Sequence, residues 1–182
     1  MLKSLTVTLI GADRGTAITL TELSAMDADR HARTALAAIG EAPDGGIVDL
    51  ALVHLERVRA LGPRGLALLQ PFLGEAQHQA LNDWRSVRQL QNAALLLHVG
   101  FLTTRAPIEV PVRIQALMIE RAGDVQTASF CCAQIATVLL SGKATYREVE
   151  TVLSTEDVYN IVELLNLDAL RRLLDAERPP KR

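Results

Sequence analysis

Ser154-Thr155-Glu156-Asp157-Val158-Tyr159-Asn160-Ile161-Val162-Glu163-Leu164-Leu165-Asn166-Leu167-Asp168-Ala169-Leu170-Arg171-Arg172-Leu173-Leu174 is the stretch that decides the fold class. Val158, Ile161, Val162, Leu165 and Ala169 recur at helical spacing as one stripe, and Leu164, Leu167, Leu170 and Leu174 form a second stripe beside it. A helix with so wide an apolar arc contacts apolar surface over much of its circumference. Ser154 with Asp157 is a capping-box-like start, and carboxylates at Glu156 and Asp157 complement the positive end of the helix dipole. Read with Glu163, the same carboxylates would form an acid/base set, but capping is the simpler account.

Upstream, Thr145 with Glu148 marks another helix start, and 125–140 is helix-like and ends at Ser141-Gly142. Leu102-Thr103-Thr104-Arg105-Ala106-Pro107, followed by Pro111, disfavours a continuous helix and reads as a hinge. Three segments follow: a front module over 1–101, a linker over 102–124 and a helical back module over 125–182. Within the front module, Leu5, Val7 and Leu9 alternate with Thr6 and Thr8, a polar turn covers 11–15, and a second alternating run covers 17–23. This is a β-hairpin. Ser24 with Asp27 then opens a helix with Ala28, Ala32, Ala35, Leu36 and Ile39 on one face, an outward Asp29/Arg33 pair, and a stop at Gly40. Val48, Ala51, Leu52, Leu55 and Val58 predict a second helix ended by Gly62-Pro63. Shorter pieces follow over 65–73 and 75–81, with a longer helix over 87–101. The fold class is therefore mainly α, a small helical bundle with a short N-terminal β-hairpin.

The composition narrows the function. At 182 residues and 49% apolar, the chain can bury a core without disulfide or metal staples. Residues 1–91 carry 9 Lys/Arg against 10 Asp/Glu and residues 92–182 carry 10 against 11, so neither half is a basic nucleic-acid arm or an acidic tail. Aromatics at 3% argue against a base-stacking platform. No apolar run reaches the roughly 20 residues of a membrane span, and 1–10 lacks the pattern of a secretory signal. The adjacent Cys131 and Cys132 give no disulfide framework and read as small buried apolar residues. The reading is a cytosolic protein.

No phosphate loop, nucleophile elbow, H-E-x-x-H or C-x-x-C occurs, which points away from an enzyme. His31, His54, His78 and His98 fall one to a segment, unlike metal ligands drawn from one turn; the first three read as solvent-facing or boundary residues and His98 as lying at a helix end near Gly100. No cofactor or metal is expected. Trp84 between Asp83 and Arg85 reads as a core residue at a helix edge, the alternative being an exposed interface anchor.

The order of these parts resembles the tail assembly chaperones of long-tailed bacteriophages. The resemblance rests on the hairpin running into Leu20-Thr21-Glu22-Leu23-Ser24-Ala25-Met26-Asp27-Ala28-Asp29-Arg30, on Leu97-His98-Val99-Gly100-Phe101, and on Ser141-Gly142-Lys143-Ala144-Thr145-Tyr146-Arg147-Glu148-Val149-Glu150 leading into the last helix. It implies a non-enzymatic helper in the host bacterial cytoplasm. Such a helper binds the tape measure protein, keeps it soluble, helps recruit tail tube subunits and is left out of the mature virion. In many such phages the longer form arises by ribosomal frameshifting, and the 102–111 hinge would then resemble the module junction.

A helical client calls for an apolar groove. Leu95, Leu96, Val99 and Phe101 before the hinge and Leu164, Leu167 and Leu170 on the last helix are the candidate partner-binding residues, each with ordinary core burial as its alternative. Self-association is also expected, because an open groove or hairpin edge is readily covered by another copy. A helical adaptor or regulatory subunit of the bacterial cytosol is the alternative reading.

Overall fold

The computed structural model describes residues 2–42, 44–53, 70–78, 81–112, 115 and 128–176. The expectations that fall on His54, Leu55, Val58, Gly62-Pro63 and most of the linker lie outside these residues. The chain is mainly helical with one antiparallel hairpin, as its patterning predicts. Strands β1 (Ser4–Thr8) and β2 (Ala17–Thr21) pair in the register Leu5↔Leu20 and Val7↔Ile18. That register puts the apolar residues on one face and Thr6 opposite Thr19 on the other, where their hydroxyls lie 3.0 Å apart.

The tip of the hairpin is a 3-10 turn, Gly11–Asp13, pinned to the start of a long helix. Asp13 accepts from the backbone N–H of Asn82 at 2.9 Å and of Asp83 at 3.0 Å, and these bonds, the Asn82 N–H foremost, hold its carboxyl below the usual range. Gly11 has φ +78°, and a Cβ there would overlap the Asp83 carboxylate, which itself accepts from the Ala12 N–H at 3.2 Å. The position requires glycine.

Helix α1 (Ala25–Ala38) is capped by Ser24, whose hydroxyl accepts from the Asp27 N–H at 3.2 Å, a contact worth about 1 kcal/mol. The next helix, α2, covers residues 46–53 within the described range. The segment predicted as helix over 75–81 is instead part of a 3-10 stretch, Gln70–His78, with a kink at Gly74 (φ +54°). Helix α3 (Trp84–Val99) starts three residues earlier than the apolar spacing predicts, because Asp83 caps it by accepting from the Arg85 N–H at 2.9 Å. A 3-10 turn, Gly100–Thr103, leads from α3 into an irregular stretch over 105–111.

Helix α4 (Ala133–Leu140) begins later than the predicted 125–140 span: residues 129–131 form a turn and bend, and Cys132 is its N-cap. Helix α5 (Tyr146–Thr151) has the complete Thr145/Glu148 capping box. Helix α6 (Thr155–Ala176) starts on the reciprocal pair in which Ser154 N–H donates to Asp157 Oδ2 at 3.0 Å and Asp157 N–H donates to Ser154 Oγ at 3.1 Å.

Two hydrophobic clusters hold these elements. The larger joins Leu9, Ile18 and Leu20 of the hairpin region, Ala28, Ala32, Ala35 and Leu36 of α1, Ile47 and Leu50 of α2, Phe72, and Leu90, Ala94 and Leu95 of α3. The smaller joins Cys131, Cys132, Ile135, Val138, Ala144, Val149 and Val158 to Ala25 and Met26 at the start of α1. Helix α1 thus serves both clusters, and the Ala25 N–H donates to the Leu153 carbonyl at 2.8 Å to fix the join. Main-chain polar groups at such a join need partners because water cannot reach them.

Two side chains, Trp84 and Asp29, depart from the sequence reading. Trp84 is 61% exposed, with the Arg85 guanidinium 5.9 Å from its ring centre, so it is a surface residue and not a core residue. The α-helical phase that buries Ser86 and Leu90 turns residue 84 outward. Asp29 is 1% exposed and does not point outward: its carboxylate accepts from the Cys132 N–H at 3.2 Å, with Arg33 Nε 4.0 Å away. His98 lies in the last turn of α3, at a helix end as its position predicts, and is completely buried.

Candidate functional site

The sequence-predicted surface residues divide between core and surface. Leu95 is 5% exposed and belongs to the larger cluster, so a partner cannot reach it in this fold. Leu96, one helical step on, is 61% exposed. Val99 is half-buried against the larger cluster. Phe101 is half-buried and packs edge-on against Tyr159 of α6, with ring centres 5.4 Å apart. On α6, Leu164 is 66% exposed, Leu167 is 42% exposed and Leu170 is half-buried. Phe101 thus packs on α6 through Tyr159, Leu164 and Leu167 lie at the surface of that helix, and Leu95 belongs to the core.

Between 102–108 and α6 lies an open groove of about 350 Å³. Leu102, Ala106, Pro107 and Ile108 form one wall, Tyr159, Val162 and Asn166 of α6 form the other, and Gln134 of α4 closes it. Its walls stay together through Arg105. That guanidinium donates to Glu163 at 2.8 Å, donates also to the Asn160 side chain, and lies 5.2 Å from the Phe101 ring centre. The two prolines and the polar run of this segment announce a break in helix; only the fold shows that the break lies along α6.

Tyr159 and the two cysteines behind it are held in their protonated forms. Tyr159 is pushed up to about 12, burial being the largest cause, so its phenol stays protonated at neutral pH. Behind it, burial pushes Cys132 up to about 12 and raises Cys131 as well, which leaves both thiols protonated and unreactive as nucleophiles. Burial likewise raises the Asp29 carboxyl, whose Oδ1 has no hydrogen-bond partner among the described residues and lies against Gly46. Gly46 has φ +58°, and a Cβ there would overlap Asp29 Oδ1, so this second glycine is needed for conformation and for space.

His98 has a structural role that its position in the sequence does not announce. Its Nε2 accepts from the Leu23 N–H at 2.9 Å, which leaves the proton on Nδ1 to bond the Ala94 carbonyl at 2.7 Å. The ring packs edge-on against Phe72 at 5.5 Å. Burial lowers its pKa, so the neutral form is the one folded in. Its neighbour in the hairpin region, Glu22, is also buried and accepts from the Lys3 N–H at 3.1 Å, while the Lys3 ammonium pairs with Glu156 at the start of α6. Glu156 thus ties the hairpin to α6 in addition to its place at the helix start.

Among the described residues, no group of three or more His, Cys, Asp or Glu is placed to hold a metal ion, and no helix is long and apolar enough to cross a membrane. Compared with known proteins, the chain matches no family, no curated protein and no solved structure.

Proposed function

We propose that this protein is a non-enzymatic phage tail assembly chaperone that binds the tape measure protein, keeps it soluble and helps recruit tail tube subunits in the host bacterial cytoplasm, without entering the mature virion. The observation that carries the reading is the outer face of α6, where Leu164 and Leu167 are 66% and 42% exposed. Large apolar side chains clustered on a surface mark a place where another protein binds. A long amphipathic helix is the client that such a face accommodates, with anchors at helical spacing laid against a helical surface. The ordering of the hairpin, the helix starts and the Thr145/Glu148 and Ser154/Asp157 boxes, which resembles the tail assembly chaperones, supplies the identity of that client.

Co-expression with the tape measure protein encoded beside it, followed by pull-down and size-exclusion chromatography, tests the proposal. The client is expected to be soluble only in the presence of this chain and to co-elute with it, and Leu164→Asp is expected to abolish co-elution. A client that is insoluble either way, or soluble alone, overturns the role. A gene neighbourhood without tail genes would point instead to a helical adaptor of the bacterial cytosol.

A further inference from the structure

We propose that a small cavity between α1, α2 and α6 holds one ordered water molecule, hydrogen-bonded to both Asp29 Oδ1 and Thr155 Oγ1. Asp29 of α1, Ile47 of α2, Ile135 of α4 and Thr155, Val158 and Tyr159 of α6 line this cavity. About 10 Å³ of it is open to the centre of a water molecule, which is about the room that one water takes. Asp29 and Thr155 are 1% and 5% exposed, and among the described residues neither Asp29 Oδ1 nor Thr155 Oγ1 has a hydrogen-bond partner.

Two buried oxygens that line one cavity without bonding each other call for a molecule between them. An unmet buried oxygen forfeits the hydration it has in the unfolded chain, and a bridging water restores it at little cost. The chemistry of the pair selects water. A carboxylate accepts, a threonine hydroxyl does either, and water does both, so Thr155 donates to the water and the water donates to Asp29. The second Asp29 oxygen accepts from the Cys132 N–H at 3.2 Å, which fixes the carboxylate against the cavity. A hard cation such as Ca²⁺ or Mg²⁺ takes six or more oxygens, and the Arg33 guanidinium, whose Nε lies 4.0 Å from Asp29 Oδ2, opposes one here. Ile47, Ile135 and Val158 make the other walls apolar, so the site accommodates a single water and no chain of them. Tyr159 lines both this cavity and the open groove, and its ring is therefore the wall between the bound water and solvent. The water joins the first turn of α6 to α1, the helix that serves both hydrophobic clusters.

The test uses the purified full chain alone, so it can fail without touching the client reading, and the client reading can fail without touching it. A crystal structure at a resolution that shows ordered water is expected to place one density peak about 2.7–3.0 Å from both Asp29 Oδ1 and Thr155 Oγ1. In Thr155→Val, which keeps the shape of the side chain and loses the hydroxyl, the peak is expected to be gone. In solution, magnetic relaxation dispersion of water is expected to count one long-lived water fewer in Thr155→Val than in the wild type. A dry cavity in the wild type, a peak at about 2.0–2.6 Å from these oxygens as for a bound cation, or a water that stays fully bound in Thr155→Val would each overturn the proposal. The wild-type density decides the matter even where the variant fails to fold.

Discussion

Helices α3 and α6 are the two longest described elements, and both are amphipathic, yet they are used in opposite ways. Helix α3 buries Ser86, Leu90, Gln91, Ala94, Leu95 and His98 along its whole length, polar side chains included. Helix α6 buries Thr155 and Val158 and then carries its leucines at the surface or half-covered. The difference does not lie in apolar content, since α6 has more leucines than α3. It lies in neighbours. The hairpin, the 3-10 segment at Phe72 and α1 surround α3, whereas α6 meets α4, α3 and α1 chiefly through its first half. An apolar stripe states that a helix can be covered, and only its surroundings state whether it is.

The comparison can be broken most directly with matched truncations. Leu90→Ala on α3, at a completely buried position, is expected to cost about 2–5 kcal/mol in chemical denaturation, because the cavity adds to the lost transfer energy. Leu164→Ala on α6 is expected to stay within about 0.5 kcal/mol of wild type. Equal losses would mean that α6 is covered as α3 is. The next largest effect is expected for Gly46→Ala, at about 2–3 kcal/mol, from the left-handed backbone together with the collision with Asp29. A melt unchanged by this substitution would show that α1 and α2 do not approach each other as described.

A smaller effect, but one specific to α3, is set by His98. Its folded pKa lies below the ordinary value of about 6.5, so as pH falls through that value the unfolded chain takes up a proton that the folded chain refuses. Stability is expected to be fully present above about pH 6.5 and to decline below it, by at most about 1.4 kcal/mol per pH unit for this one proton. His98→Gln, which can still accept from the Leu23 N–H, is expected to lose that slope between about pH 6.5 and 5. A slope that survives the substitution would place the titrating group elsewhere. The smallest effect sharpens the contrast on the α6 side. Arg105→Ala removes partly exposed contacts to Glu163 and Asn160 and is expected to cost about 1 kcal/mol or less. It is also expected to speed proteolysis between Leu102 and Pro111, followed by mass spectrometry with a protease of broad specificity, while an unchanged rate would mean that Arg105 does not hold the groove wall.

Much of the fold is legible where a local rule suffices. The alternation of Leu5, Val7 and Leu9, the Ser24, Thr145 and Ser154 starts, and the Gly40 and Ser141-Gly142 stops each act through backbone hydrogen bonds or steric restriction within a few residues. The misplaced starts are instructive. Asp83 caps α3 although no acidic residue follows three positions on, and Cys132 replaces a continued helix because Asp29, far away in sequence, takes its N–H. Of the candidate surface, the α6 stripe was readable from spacing alone, while the separation of buried Leu95 from exposed Leu96 depends on the rotational phase of α3 against a hairpin and a 3-10 segment. Arg105, Tyr159 and Gln134 gave no local signal as groove residues, since what unites them is proximity.

By itself the sequence determined the mainly helical class, the hairpin and its apolar face, the capped starts of α1, α5 and α6 and the two stripes of α6, because periodicity and capping are short-range consequences of backbone geometry. Only the tertiary structure decided that Trp84 is outside, that Asp29 and His98 are inside, that Arg105 fastens an irregular segment along α6, and which apolar stripe is left uncovered. Burial, and the pKa shifts that follow from it, are properties of what packs around a residue, and those neighbours come from parts of the chain that no local pattern connects.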